Sequence, residues 1–145
     1  MKTSSRNQLH GTVVHITTGA INDEIELELA GGTRIVAVIT HRSTLAMDLK
    51  TGDAAIALIK APWIILATDL DDVLLSARNA LTGTVLSLQT GAVNAEVRVQ
   101  LTKGDVLTAI ITNDSVQDLG LHQGSSVTAL FKASHVILGV PKPAA

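Results

Sequence analysis

Four cations stand apart among the 11 Lys and Arg residues of this 145-residue chain: Arg6, Lys60, Arg78 and Lys132. They form two pairs, each separated by 72 positions, and around each pair the chain repeats itself. Ser4-Ser5-Arg6-Asn7 matches Ser76-Ala77-Arg78-Asn79, and Lys60-Ala61 matches Lys132-Ala133. Thr40 and Ser43 match Thr112 and Ser115. Every other Lys or Arg meets a different residue at the matching position: Arg34 faces Val106, Arg42 faces Asp114 and Lys50 faces His122. Of the 13 acids only Glu24 recurs, as Glu96. Surface charge is scrambled between the halves, while one guanidinium and one ammonium per half are not. Each half therefore needs both for a shared task.

The repeated polar set consists of donors. Arg and Lys have no acceptor capacity, and Ser, Thr and Asn side chains can donate as well. Donors gathered without an obligatory carboxylate suit a small oxyanion and not a bare metal cation. Two cations neutralise a dianion, which matters because breaking a buried ion pair costs roughly 3–5 kcal/mol. Charge-assisted hydrogen bonds contribute roughly 1.5–3 kcal/mol each. Five or six of them leave about 8 kcal/mol, a micromolar affinity, once association costs are met. Backbone amides at Thr18-Gly19-Ala20 and Thr90-Gly91-Ala92 can add anion-binding nests.

Other chemistries find little support. Cysteine is absent, which removes disulfides and thiolate sites. The five histidines (His10, His15, His41, His122 and His135) do not fall at metal-ligand spacing, and none recurs. No nucleophile–base pair recurs either, so no enzyme is expected. Single-stranded nucleic-acid binders use stacking aromatics and basic grooves. This chain has one Trp, one Phe and no Tyr, with a formal net charge of −2. No phosphate-binding Gly-x-x-x-x-Gly-Lys-Ser/Thr loop and no DNA-binding helix pattern are present. Residues are 46% hydrophobic and mean hydropathy is +0.37, yet no run resembles a membrane span of about 20 apolar residues. That combination predicts burial between units or subunits. The polar start at residues 1–8 makes the cytoplasm the expected compartment.

Strands must position these groups. Glu24-Ile25-Glu26-Leu27-Glu28-Leu29 alternates strictly, and Glu96-Val97-Arg98-Val99-Gln100-Leu101 does the same with different polar residues. Strands are also expected at 9–18, 34–40, 54–60 and 64–68, and at the matching 81–90, 106–112, 126–132 and 136–140. Gly31-Gly32 and Lys103-Gly104-Asp105 supply hairpin turns. A short helical turn is expected at 43–49 and 115–121, with Ser43 and Ser115 as N-caps and Gly52 and Gly124 ending it. Five strands with a helical turn between the third and fourth suggest a small barrel of the oligonucleotide/oligosaccharide-binding (OB) type. The domains expected are residues 4–68 and 76–140, with a linker at 69–75 and a proline-interrupted tail at 141–145.

Several repeated residues keep two readings open. Asn7 and Asn79 can cap the chain or touch a ligand. Thr40 and Thr112 can satisfy backbone at a strand end, and Ser43 and Ser115 can cap a helix, without excluding ligation. Glu24 and Glu96 can be solvated strand starts or partners for a neighbour's Arg. Trp63 aligns with His135, which points to packing or an interface; three residues from Lys60, it can also report binding.

The combined pattern is Ser-x-Arg-Asn, Gly-x-Val, Gly-Ala-x-Asn, Thr-x-x-Ser, then Lys-Ala before a final Val/Ile-Ile-Leu. It resembles the Mop domain of molbindins and of the TOBE segments of molybdate-responsive regulators and transporter ATPases. The likeness covers both repeats and resembles a tandem di-Mop molbindin. It implies an all-β protein of two tandem OB-like five-stranded barrels, assembled as a homotrimer. It further implies molybdate or tungstate held between repeats and subunits, no organic cofactor, and a role in molybdenum storage or homeostasis. Sensing through a separate partner is the alternative, and proteins of molybdenum-cofactor synthesis are further candidate partners. One class of site would combine Ser-x-Arg of one repeat with Thr-x-x-Ser and Lys of a neighbour. Here that set is Ser4, Ser5, Arg6, Asn7, Thr40, Ser43, Lys60 and Ala61, with Ser76, Ala77, Arg78, Asn79, Thr112, Ser115, Lys132 and Ala133. Ser5 departs from the pattern, which Ala77 fits better; a backbone N–H donor there would make the change harmless. A second, axial class would use the turns at Gly19, Ala20 and Asn22 and at Gly91, Ala92 and Asn94.

Overall fold

The computed structural model describes residues 1–142; the end of the expected tail, residues 143–145, lies outside them. Among the described residues ten strands form two five-stranded antiparallel sheets. In the first repeat β1 (Asn7–Thr17), β2 (Asn22–Leu29), β3 (Arg34–Thr40) and β4 (Ala54–Ile59) are followed by the short β5 (Ile65–Ala67). The second repeat supplies β6 (Asn79–Thr90), β7 (Asn94–Leu101), β8 (Val106–Thr112), β9 (Ser126–Phe131) and β10 (Ile137–Gly139). A helical turn follows the third strand of each: α1 (His41–Ala46) and α2 (Asn113–Leu119).

Alternation drives each sheet to curl around apolar side chains. Ile25, Leu27 and Leu29 are buried along β2, as are Val97, Val99 and Leu101 along β7, while the residues between them remain at least partly exposed. The first strands bend at a bulge between Val13 and His15, and again between Val85 and Ser87. Gly11 and Gly83 let the next strand approach: a Cβ at Gly11 would sit 2.6 Å from the Glu28 carbonyl oxygen, and one at Gly83 would sit 2.5 Å from that of Gln100. Buried residues of both repeats belong to one contiguous core, so neither small unit relies on a core of its own.

The fifth strands depart from expectation. They belong to the sheet of the other repeat, giving the orders β10-β4-β1-β2-β3 and β5-β9-β6-β7-β8. Ile65, Leu66 and Ala67 pair with Leu130, Ala129 and Thr128. Ile137, Leu138 and Gly139 pair with Leu58, Ala57 and Ile56. The cause lies in the turns before them. Ala61–Trp63 and Ala133–His135 are single 3-10 turns flanked by extended residues, so the chain runs onward across the neighbouring repeat and does not fold back on β4 or β9.

The helix caps also move. Thr40 and Thr112, not Ser43 and Ser115, are the N-caps: each hydroxyl accepts the N–H of the serine three residues on, at 3.1 Å. α1 stops at Met47, and α2 stops at Gly120 in the left-handed region (φ 62°). Gly52 and Gly124 shape the later turn into the fourth strand.

Candidate anion-binding site

Ser4, Ser5, Arg6, Lys60 and Ala61 line one cavity of about 310 Å³, together with Leu58, Pro62, Trp63, Ile110, His135 and Ile137. Arg6 comes from the lead into β1 and Lys60 from the end of β4. The antiparallel pairing of Asn7 with Ile59 brings them to the same end of the sheet. The second repeat supplies Ile110, His135 and Ile137, so the cavity is a seam between repeats. The Lys60 ammonium lies 5.1 Å from the centre of the Trp63 ring, a cation–π contact that steadies a flexible side chain. Trp63 in turn packs on His135, with ring centres 4.6 Å apart. These two aromatic residues occupy the matching position of the two repeats and meet across the seam.

Thr112 and Ser115 line an adjoining depression that shares Pro62 and Ile110 with this cavity. Ile110 and Thr112 are two residues apart on β8 and lie on the same face of the strand. The Thr112 hydroxyl donates to that of Ser115 at 2.8 Å, and the hydroxyls of Thr40 and Ser43 are hydrogen-bonded at the same distance. The lysine departs from the expected combination: Lys60 joins the Ser-x-Arg segment of its own repeat, and only the Thr-x-x-Ser hydroxyls come from the other. The cavity of Arg6 and Lys60 adjoins the depression lined by Thr112 and Ser115 of the second repeat, and Thr40 and Ser43 do not line it. Exchange of the fifth strands causes this, because the turn after Lys60 packs on β8 and the turn after Lys132 packs on β3.

Both repeated arginines are held by the repeated acid of the opposite repeat. Arg6 Nη2 donates to Glu96 Oε1 at 2.6 Å, and Arg78 pairs through Nη1 with Glu24 Oε1. The partner reading of Glu24 and Glu96 is therefore the observed one. That they were the chain's single repeated acid was the available signal.

Asn7 and Asn79 are buried, and their side chains serve the seam. Asn7 Nδ2 donates to the carbonyls of Ile59 (3.1 Å) and Thr108 (2.8 Å), while Oδ1 accepts the Thr108 N–H at 2.7 Å. Asn79 makes the same two-way contact with Val36, at 2.8 Å in each direction. Both Asn7 amide donors are used, which leaves that side chain none for a ligand. The Ser5 hydroxyl donates to the carbonyls of Asn7 and Ile59, so Ser5 also offers its backbone more readily than its side chain.

The axial turns are exposed, and Gly19, Ala20, Asn22, Gly91, Ala92 and Asn94 all face solvent. A Cβ on Gly91 would lie 3.0 Å from the Asn94 carbonyl oxygen, and one on Gly19 would collide with that of Asn22. Close approach within the turn therefore explains both glycines. Beneath the first turn, buried Asp23 accepts the Gly19 N–H at 3.1 Å and faces His41 Nδ1 at 3.0 Å. The Thr44 hydroxyl is the main cause holding its carboxyl below the ordinary carboxylate range, with His41 and the Gly19 amide helping and burial opposing. The second repeat has Ala95 at this place, and Asn113 Nδ2 donates instead to the Gly91 carbonyl at 2.9 Å. Sequence alignment of the halves showed Asp23 as unmatched but carried no hint of its burial.

Residues 3–66 and 75–138 each match the TOBE domain, and the chain belongs to that family. In fold it is similar to the cytoplasmic molybdate-binding protein ModG, in a crystal form with molybdate bound. That likeness has a TM-score of 0.93 and 48% identity, over 97% of this chain and 100% of that one. The molybdenum-pterin-binding protein MopA of Rhodobacter capsulatus is 48% identical over 141 residues, 97% of this chain and 53% of its own length. The molybdenum transport protein ModE of Herbaspirillum seropedicae is 41% identical over 97% of this chain and 52% of its own length. The chain spans about half the length of these curated relatives. Among the described residues, no helix is long and apolar enough to cross a membrane.

Proposed function

We propose that this chain binds molybdate, and tungstate by the same geometry, at sites between its repeats and between subunits of a homotrimer. Its role would be intracellular storage or buffering of molybdenum, with no catalysis and no organic cofactor. The observation that carries this reading is the joint placement of Arg6 and Lys60 in one cavity, next to the Thr112–Ser115 hydroxyl pair. The two repeats at 4–68 and 76–140, each completing an OB-like barrel with the fifth strand of the other, would provide two such sites. Ser76, Ala77, Arg78, Lys132, Ala133, Thr40 and Ser43 would form the second. Likeness to molybdate-bound ModG over the full length of both chains supports the ligand.

The cavity is far larger than a tetrahedral oxyanion, so a neighbouring subunit would supply the missing wall. Exposed apolar residues recur at matching positions, which supports such an assembly: Ile21 with Val93, and Ile65 with Ile137. Ile21 and Val93 sit in the axial turns, whose amides and Asn22 and Asn94 would form the second class of site. A sensing role through a separate partner is the second reading. It is favoured by 33–41% identity to about half of several ModE proteins, some named as transcriptional regulators.

Equilibrium dialysis with molybdate, combined with native mass spectrometry, tests the reading. Wild type should be a trimer that retains molybdate against excess sulfate, because the longer metal–oxygen bonds fill the site. Arg6→Ala, Lys60→Ala, Arg78→Ala and Lys132→Ala should each lower the number of ions bound while circular dichroism stays unchanged. Unchanged stoichiometry in all four, or equal competition by sulfate, would overturn it.

A further inference from the structure

We propose that Glu96 and Glu24 are positioning and charge-setting residues of the two candidate anion sites, a proposal that rests on the binding reading above. Each carboxylate holds the arginine of the other repeat by one edge and leaves that Arg–Lys pair one net positive charge in place of two. Four observations lead here. The two pairs are reciprocal across the seam, Arg6 with Glu96 and Arg78 with Glu24. Each is made through a single guanidinium nitrogen, so the remaining N–H groups of that arginine stay free to donate. Among the described residues no acid lines the cavity that holds Arg6 and Lys60; Asp118 lines the adjoining depression, and Glu96 is the acid hydrogen-bonded to Arg6. Finally, the carboxylate is placed by the sheet: Glu96 lies opposite Ile110 in the β7–β8 ladder, and Ile110 is a wall of the cavity. Glu24 lies opposite Val38 in the same way.

The arrangement has two opposed effects on a dianion. The hydrogen bond from Arg6 limits the rotamers of a side chain that is half-exposed, which favours binding by ordering the donor beforehand. The carboxylate charge repels the same dianion and weakens binding. Glu96 is less exposed than Arg6 (27% against 51% of the side chain), so its charge is the less screened of the two. The pair thus trades affinity for an aimed guanidinium and makes the site discriminate between oxyanions by charge as well as size.

Glu→Gln separates the two effects, because the amide oxygen still accepts from arginine while the charge is gone. Isothermal titration of the full-length protein would use molybdate and perrhenate, tetrahedral oxyanions of two charges and one. Glu96→Gln and Glu24→Gln should each tighten molybdate roughly two- to fivefold at low salt, the size of one partly screened charge contact. Perrhenate should gain less, and the molybdate gain should shrink as salt is raised. Glu96→Ala, which also frees the guanidinium, should give back part of the gain. The proposal fails if both Gln variants bind molybdate and perrhenate as wild type does and only melt earlier; the binding reading would then stand. Wild type that neither gives heat nor retains molybdate on dialysis would remove the binding reading, and this proposal with it.

Discussion

Asn7 and Thr108, 101 residues apart, form a hydrogen-bonded pair in both directions: the Asn7 carboxamide takes the Thr108 N–H and gives to the Thr108 carbonyl. A side chain thereby imitates a strand, and it does so where the two repeats meet. Asn79 and Val36 form the matching pair at the matching place. The four backbone groups concerned have no other strand to bond. The asparagine beside each arginine therefore secures the seam on which the candidate site is built.

Replacing Asn7 by Ala should leave the N–H and carbonyl of Thr108 unpaired. Each buried unpaired group costs about 1–3 kcal/mol, so a loss of about 3 kcal/mol in urea unfolding is expected. Asn7→Asp should be worse at neutral pH. Its oxygens cannot donate to the Ile59 and Thr108 carbonyls, and they bring a buried charge toward two acceptors. An Asp variant as stable as wild type would contradict the assigned donors.

The exchanged strands make stability travel between repeats. Removing residues 137–142 takes β10 away from β4, which belongs to the other repeat. Hydrogen exchange should then rise first at β4, at residues 56–58, while β9 keeps its partner β5. Faster exchange confined to β9 would mean that each repeat retains its own fifth strand.

Asp23 should make the first axial turn acid-sensitive. Its carboxyl is held below the ordinary range in the folded chain, so it contributes stability above its unfolded pKa of about 3.9. That contribution is lost as pH falls through roughly 4 and below, where the unfolded chain takes up the proton more readily. Urea midpoints measured from pH 7 to pH 3 should fall less in Asp23→Asn than in wild type. Parallel curves for the two proteins would show that Asp23 contributes nothing to acid stability. The second repeat, with Ala95 at this position, has no matching group.

Much of this was legible in a single chain. Strict alternation at 24–29 and 96–101 marked the buried faces correctly, because a period of two is a local property of an extended backbone. The repeated Arg and Lys were visible as the cations shared by both halves, and the cavity brings Arg6 to Lys60. The N-caps lie three residues before the serines that the pattern points to. Ser and Thr are both good caps, and only the geometry of the last strand residue decides which hydroxyl reaches the helix amide. Asn7 looked as much like a ligand as a clamp, since its spacing from Arg6 holds no record of what it faces.

By itself the sequence determined the duplication, the strands, their buried faces and the donors available to an anion. All of these follow from residue type and short-range spacing. Tertiary structure alone decided that β5 and β10 change sheets, that Arg6 meets Glu96, and that the cavity of Lys60 adjoins the depression of Thr112 and Ser115. Backbone hydrogen bonds are the same for every residue, so β5 carries no label that distinguishes β4 from β9. The turn at Ala61–Trp63 and the shared core make that choice, and the site forms where they place it.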